Sequence, residues 1–173
     1  MLSGDRNHHG FTLLDSLIVI AILGIIGITI IPQFQGLVRE TKLNEAATEL
    51  VSGMQYAGNL AVRYGRPFGF QADATGRWFR IFDERYHTDP APHTDQNPPV
   101  TAYGVVLNPL DKSWYLRNFA ELESYREVTF TNAEVVFYPD GHSAATDTTV
   151  TVDLGADLRI ITVDGATGRV HVQ

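Results

Sequence analysis

Gly10-Phe11-Thr12-Leu13-Leu14-Asp15 runs directly into Ser16-Leu17-Ile18-Val19-Ile20-Ala21-Ile22-Leu23-Gly24-Ile25-Ile26-Gly27-Ile28-Thr29-Ile30-Ile31. As a helix, the about 21 residues from Phe11 to Ile31 reach roughly 31 Å, the thickness of a bilayer hydrocarbon core. Leu17 to Ile31 carries no charge, and only Gly24, Gly27 and Thr29 interrupt its large apolar side chains. A cleaved secretory signal has a shorter apolar core that ends at a small-residue cut site. Here the run passes straight into Pro32-Gln33-Phe34 and a further helical pattern, so the expectation is a retained membrane helix. An ordinary signal anchor is the plain reading of the apolar run alone. Asp15 departs from it, because a carboxylate in a membrane helix is costly unless it has a partner. Two alternatives stand beside a functional role: Asp15 lies one turn in and reaches headgroup water, or the helix dipole favours an acid there.

The order glycine, phenylalanine, acid, apolar run resembles the processing and assembly segment of type IV pilins and type II secretion pseudopilins. The resemblance implies that a prepilin peptidase cuts between Gly10 and Phe11 and methylates the new N-terminal Phe11. It implies that Asp15 pairs with the N-terminal ammonium of a neighbouring subunit during assembly. Pro32 falls where many members of that family carry a helix-breaking proline. One departure is visible: the family's acid is nearly always Glu, and Asp is one methylene shorter. The leader, 1–10, holds Asp5, Arg6, His8 and His9. Arg39 and Lys42 outnumber Arg6, so loop charge gives little orientation, and a cytoplasmic N-terminus rests on the resemblance. His8-His9, in a segment expected to be discarded, is read as incidental.

The chain has 173 residues, a formal charge of −7 and no cysteine. Without leader and anchor, about 140 residues remain, enough for one core. Acidic balance argues against a general nucleic-acid surface. Absence of cysteine excludes disulfides and thiolate metal sites.

Beyond Pro32, Phe34, Leu37, Val38, Leu43, Ala46, Ala47, Leu50, Met54, Ala57 and Ala61 recur at steps of three and four, an amphipathic helix with Glu45 and Glu49 on its wet face. Gly65 caps it and Pro67 blocks its continuation. After Pro67 the period becomes two. Phe68–Ala72 and Trp78–Phe82 flank a turn at 73–76 and predict a hairpin. The segment 83–99, rich in Asp, His, Pro and Asn, predicts an exposed loop with Asp83-Glu84 as a charged strand end. Further strands are expected at 103–107, 114–119, 127–130, 134–138, 149–152, 158–163 and 168–172. The fold class is α+β: a long N-terminal helix packed on a mainly antiparallel β domain, pilin-like in architecture. The expected division is a leader at 1–10, a transmembrane and filament-core helix at 11–32, the amphipathic half at 33–65 and a β-rich periplasmic domain at 66–173. Val136-Phe137-Tyr138-Pro139-Asp140-Gly141, with Arg159–Val163 and Gly168-Arg169-Val170, is similar to the closing segment of the minor pseudopilin H and FimT-like subfamily.

Candidate chemistry is sparse. His87, Asp89, His93 and Asp95 only loosely resemble a metal site and read better as a solvated loop. Asp147, Asp153 and Asp157 are too spread for a calcium loop. His142 and Ser143 adjoin in a turn without an evident acid to orient them, and no phosphate-binding glycine loop is present. Arg169 and His171 are too few, beside Asp157 and Asp164, for salt-dependent phosphate binding. No enzyme activity, cofactor or metal is expected. The expected function is a minor pseudopilin of a type II secretion pseudopilus, anchored in the bacterial inner membrane with its C-terminal domain in the periplasm. The alternative is a FimT-like type IV minor pilin, and a more distant one a membrane-anchored binding or enzymatic domain. Implied partners are other pilins or pseudopilins, prepilin peptidase and the inner-membrane assembly platform. The 83–99 loop is expected to face outward for partner contact.

Overall fold

The computed structural model describes residues 13–75, 77–144 and 147–173, and of residues 29–34 the backbone only. Gly10 and Phe11 therefore lie outside the described residues. The chain divides into two compact units, one through Arg39 and one from Glu40 to Gln173.

One helix, α1 (Leu13–Tyr64), is assigned without interruption through Pro32. It ends as the sequence predicts. Gly65 adopts φ +63°, and the Arg66 N–H reaches back to the Ala61 carbonyl at 3.3 Å, closing the last turn where a Cβ would be strained. Among the described residues eight strands follow: β1 (Phe68–Asp73), β2 (Trp78–Asp83), β3 (Leu116–Asn118), β4 (Thr129–Phe130), β5 (Ala133–Phe137), β6 (Thr148–Leu154), β7 (Asp157–Val163) and β8 (Val170–Val172). They form two antiparallel four-stranded sheets, ordered β3-β2-β1-β5 and β4-β6-β7-β8.

The core of the second unit follows from the two periodicities. Leu43, Ala46, Ala47, Leu50, Met54, Ala57 and Ala61 are buried along one stripe of α1. Phe68, Phe70, Phe79, Ile81, Val135 and Phe137 supply the first sheet, and Val150, Val152, Leu154, Ile161 and Val163 the second, within one apolar cluster. Aromatic rings join the sheets: Phe79 meets Phe119 edge-on at 5.9 Å, and Phe119 meets Phe130 at 5.4 Å. Small residues on α1 make room for these rings. A Cβ on Gly53 would stand 3.0 Å from Phe79 and 3.3 Å from Phe70, and one on Gly58 3.6 Å from Phe137.

Three expectations need correction. First, 103–107 is not a strand. Ala102–Gly104 is a single 3-10 turn with φ +57° at Tyr103 and +70° at Gly104, and 105–107 makes only isolated bridges to Phe82, Val100 and Trp114. Positive φ at two successive residues breaks extended pairing. Second, Asp83 is not a solvated strand end but fully buried. Strand alternation puts its side chain on the face of the buried Phe79 and Ile81, opposite Phe68, where Arg66 and Arg85 pair with it. Phe82 points to the other face, is buried there with the His87 ring 5.6 Å away, and sits opposite Gly69, where any Cβ would overlap its ring. Third, the 83–99 loop is exposed only in part. Thr88, Pro90–Pro92, Thr94 and Asp95 face solvent, while Pro98 is buried.

Candidate functional site

The described part of the first unit presents an exposed apolar helical surface. Leu13, Leu14, Leu17, Ile18, Ile20, Ile22, Leu23, Ile25 and Ile28 are exposed, Leu13 at 84% and Ile28 at 79%. A helix that is apolar on every face is stable when buried in a core or a membrane. Asp15 is exposed in the first described turn, with these side chains around it. Among the described residues no helix is long and apolar enough to cross a membrane. The part whose side chains are described, Leu13–Ile28, reaches roughly 24 Å, short of a bilayer core, and the rest of the expected span lies outside it. Gly24 and Gly27 add a contrast with Gly53. A Cβ on either would meet nothing within 4 Å among the described residues. Each nevertheless costs a helix about 1 kcal/mol relative to Ala.

In the second unit the sharpest electrostatic feature is Asp83. The Arg66 Nε donates to its Oδ2 at 3.0 Å, and the other Arg66 nitrogen lies at 2.9 Å. The Arg85 backbone N–H donates to Oδ1 at 3.1 Å, its Nε to Oδ1 at 3.2 Å and a terminal nitrogen to Oδ2 at 3.1 Å. The Asp83 bond holds Arg85 above the ordinary guanidinium range. Arg66 also donates to the Asn97 carbonyl at 2.9 Å. The cluster thus ties the end of α1, the end of β2 and the far side of the loop. A second tie fixes α1 to β7: Arg159 Nε donates to Asn44 Oδ1 at 3.0 Å, with Glu40 Oε1 3.7 Å from the same guanidinium.

On the outer face of the first sheet, Arg80 donates to Gln71 Oε1 at 2.8 Å, and Gln71 donates to Glu134 at 2.9 Å. The Arg80 guanidinium lies 5.3 to 5.9 Å from the Phe82, Trp78 and Tyr103 rings, and burial there lowers its pKa. Burial raises the Glu84 carboxyl, the nearby His87 opposes this, and Glu134 and Asp83 add smaller upward pushes.

The loop residues weighed as metal ligands do not converge. His93 Nε2 binds Asp89 Oδ2 at 2.9 Å and its ring stacks on Tyr86 at 4.1 Å, whereas the His87 Nδ1 bonds the Glu84 carbonyl at 3.0 Å. The Ala91 N–H and then His93 hold Asp89 below the usual carboxylate range. Among the described residues, no three His, Asp or Glu side chains gather as a metal site. Asp147 accepts from the Gly165 N–H at 2.9 Å, a turn contact, and Asp153 and Asp157 lie on β6 and β7. His142 does have an acid the sequence reading missed: its Nδ1 bonds Asp140 Oδ1, and the ring stacks on Tyr138 at 4.5 Å. Ser143 is buried and donates instead to the Asp164 carbonyl at 3.3 Å, so the two side chains form no dyad. Arg169 and His171 line a groove of about 450 Å³ with Gln55, Asn59 and Phe137. Asp164, nearby, is lowered mainly by the Thr167 N–H and slightly by His171.

Comparisons with known proteins converge. Residues 46–168 match the family model described as "Type II transport protein GspH". No curated protein sequence matches the chain at a significant level. Among solved structures, the type IV minor pilin FimU of Pseudomonas aeruginosa is similar at 19% identity and a TM-score of 0.51, covering 79% of this chain and 92% of that one. The minor pseudopilin EpsH from the type 2 secretion system of Vibrio cholerae is similar at 14% identity and a TM-score of 0.50, covering 76% and 96%. At these identities the likeness to both is one of fold. The matched segment begins at residue 46, so the processing motif at Gly10-Phe11 lies outside it.

Proposed function

The chain belongs to the GspH family of type II transport proteins, and from that premise we propose how its residues divide the work of a minor pseudopilin. It is a non-enzymatic subunit that assembles with other pseudopilins in a filament. Prepilin peptidase removes 1–10 by cutting between Gly10 and Phe11 and methylates Phe11. The helix from Phe11 then inserts in the inner membrane with its N-terminus cytoplasmic, engages the assembly platform, and packs in the filament core. Residues 33–65 carry the β-rich domain, 66–173, on the periplasmic side. Pro32, which removes one backbone donor from the helix, gives that junction a place to bend.

The single observation that supports this division is the uncovered apolar surface of Leu13–Ile28 beside a well-packed second unit. Helices in lipid associate through close packing and polar pairing. Gly24 and Gly27, which no neighbour among the described residues requires, permit backbones to approach, and Asp15 supplies the polar pair. The Arg66–Asp83–Arg85 cluster and the Arg66 bond to the Asn97 carbonyl hold the outer loop near both of its ends.

Deleting the gene in its host and measuring both exoprotein release and twitching motility tests the assignment. The expected result is loss of exoprotein release, restored by the wild-type chain, with motility intact. Loss of motility with normal release would place the subunit in a type IV pilus instead.

A further inference from the structure

We propose that the outer face of the first sheet, where Arg80 lies among Trp78, Tyr103 and Leu116, docks another protein through a segment that carries a carboxylate beside an apolar side chain. The sheet brings these four side chains together. Trp78 and Arg80 alternate on β2 with the buried Phe79 and Ile81, and Leu116 on β3 stands directly opposite Arg80. Tyr103 arrives from the segment after β2. Its carbonyl accepts from Arg80 Nη1 at 3.3 Å, and its ring lies 5.9 Å from the guanidinium carbon. Tyr103 is 49% exposed and Leu116 51%, so large apolar surface borders a fixed cation. Protein hot spots are enriched in Trp, Tyr and Arg, which join apolar area to a directional charge. Tyr103 adds a second observation. Its φ of +57° is one that a bulky side chain rarely adopts. The bond from its N–H to the Asp89 carbonyl at 2.6 Å, together with that from Arg80, holds it there while the ring stays half-exposed. Backbone strain held in this way gathers at binding sites.

Charge selects the occupant. Arg80 Nε donates to Gln71 Oε1 at 2.8 Å and Nη1 to the Tyr103 carbonyl, and both acceptors are neutral. Glu134 is held one step away, through Gln71. Among the described residues Arg80 makes no ion pair, and its Nη2 makes no hydrogen bond. The guanidinium is therefore fixed in place and keeps directional donors for an incoming carboxylate. Burial lowers its pKa, with Glu134 opposing this in part, as fits a cation short of counter-charge. Two other occupants fit less well. A nucleic-acid backbone needs several cations together, and the Glu134 carboxylate on the same face repels phosphate. A bilayer would have to bury that same carboxylate without a cation of its own.

The test uses the full-length chain in its host, with a benzophenone-bearing amino acid in place of Tyr103 and irradiation of intact cells. The expected product is a discrete protein adduct. Mass spectrometry of the crosslinked segment should find Asp or Glu beside an apolar residue. In Arg80→Gln the adduct yield should fall by about tenfold, the scale of one charge-assisted hydrogen bond. Leu116→Glu should lower the yield and Leu116→Lys should keep it, a difference in sign that a folding defect at this exposed position would not produce. Processing between Gly10 and Phe11, read on the same chains, should be normal in every variant, which separates failure here from failure of the assembly role. The proposal is overturned by no adduct, by an adduct to lipid or nucleic acid, or by a crosslinked segment without a carboxylate. Equal yields in wild type and Arg80→Gln, or in Leu116→Glu and Leu116→Lys, overturn it as well.

Discussion

Asp15→Ala is expected to insert in the membrane at least as well as the wild-type chain, yet to be lost from assembled filaments by roughly tenfold or more. The two effects separate because they have different physical origins. An Asp at the centre of a membrane helix costs about 2.5–3.5 kcal/mol on insertion, and less near the end. Alanine carries no charge into the membrane, so insertion should not suffer. What alanine cannot do is accept a charge-assisted hydrogen bond from the ammonium of a processed neighbour, the bond proposed to set axial register. A loss of about 1.4 kcal/mol in that contact is already tenfold in association. Asp15→Glu, one methylene longer, should assemble as well as wild type. Crosslinking of membrane fractions followed by filament shearing reads both quantities. In full-length Asp15→Ala the second unit should unfold like wild type, because Asp15 lies in the first unit, outside the packed core of the second. If the alanine variant enters filaments at the wild-type level, the pairing role is gone.

Asp83→Ala should be the most destabilising single change in the second unit, by about 3 kcal/mol in chemical denaturation. Removing one partner of a buried ion pair costs about 3–5 kcal/mol because the other charge stays buried and uncompensated. The low end applies here, since the Arg66 and Arg85 side chains retain 19% and 42% exposure and can regain some water. Arg66 also keeps its bond to the Asn97 carbonyl. Asp83→Asn, which preserves one acceptor and some donors' geometry, should cost less than the alanine. Loosening should concentrate in residues 84–97, which depend on this cluster, and leave β6–β7 protected. A uniform loss of protection across both sheets would mean that Asp83 supports the core rather than the loop.

How far the sequence could be read depends on how local each cause is. The hairpin β1–β2 was legible because its alternation of Phe68, Phe70 and Phe79, Ile81 around a turn is a property of contiguous residues. The end of α1 was legible for the same reason, through Gly65 and Pro67. The strand expected at 103–107 was not realised, because Tyr103 takes positive φ through contacts distant in sequence. Its N–H donates to the Asp89 carbonyl at 2.6 Å and its own carbonyl accepts from Arg80 at 3.3 Å. Asp83 misled for a related reason. Its closest partner, Arg66, lies 17 residues upstream just past the end of α1, and only the folded sheet brings the two together. The one available signal was an Arg immediately after a helix cap and an Asp at the end of the paired strand. In the N-terminal helix the position is reversed. The Gly10–Asp15 motif is made of contiguous residues, and the role proposed for it depends on partners rather than on packing within the chain.

Coexpression of the full chain with a prepilin peptidase, followed by intact mass measurement of the product, tests the central claim most directly. The account predicts a chain that begins at Phe11, lacking Met1 through Gly10 and carrying one added methyl group on the new N-terminus. A product that still begins at Met1 would contradict it.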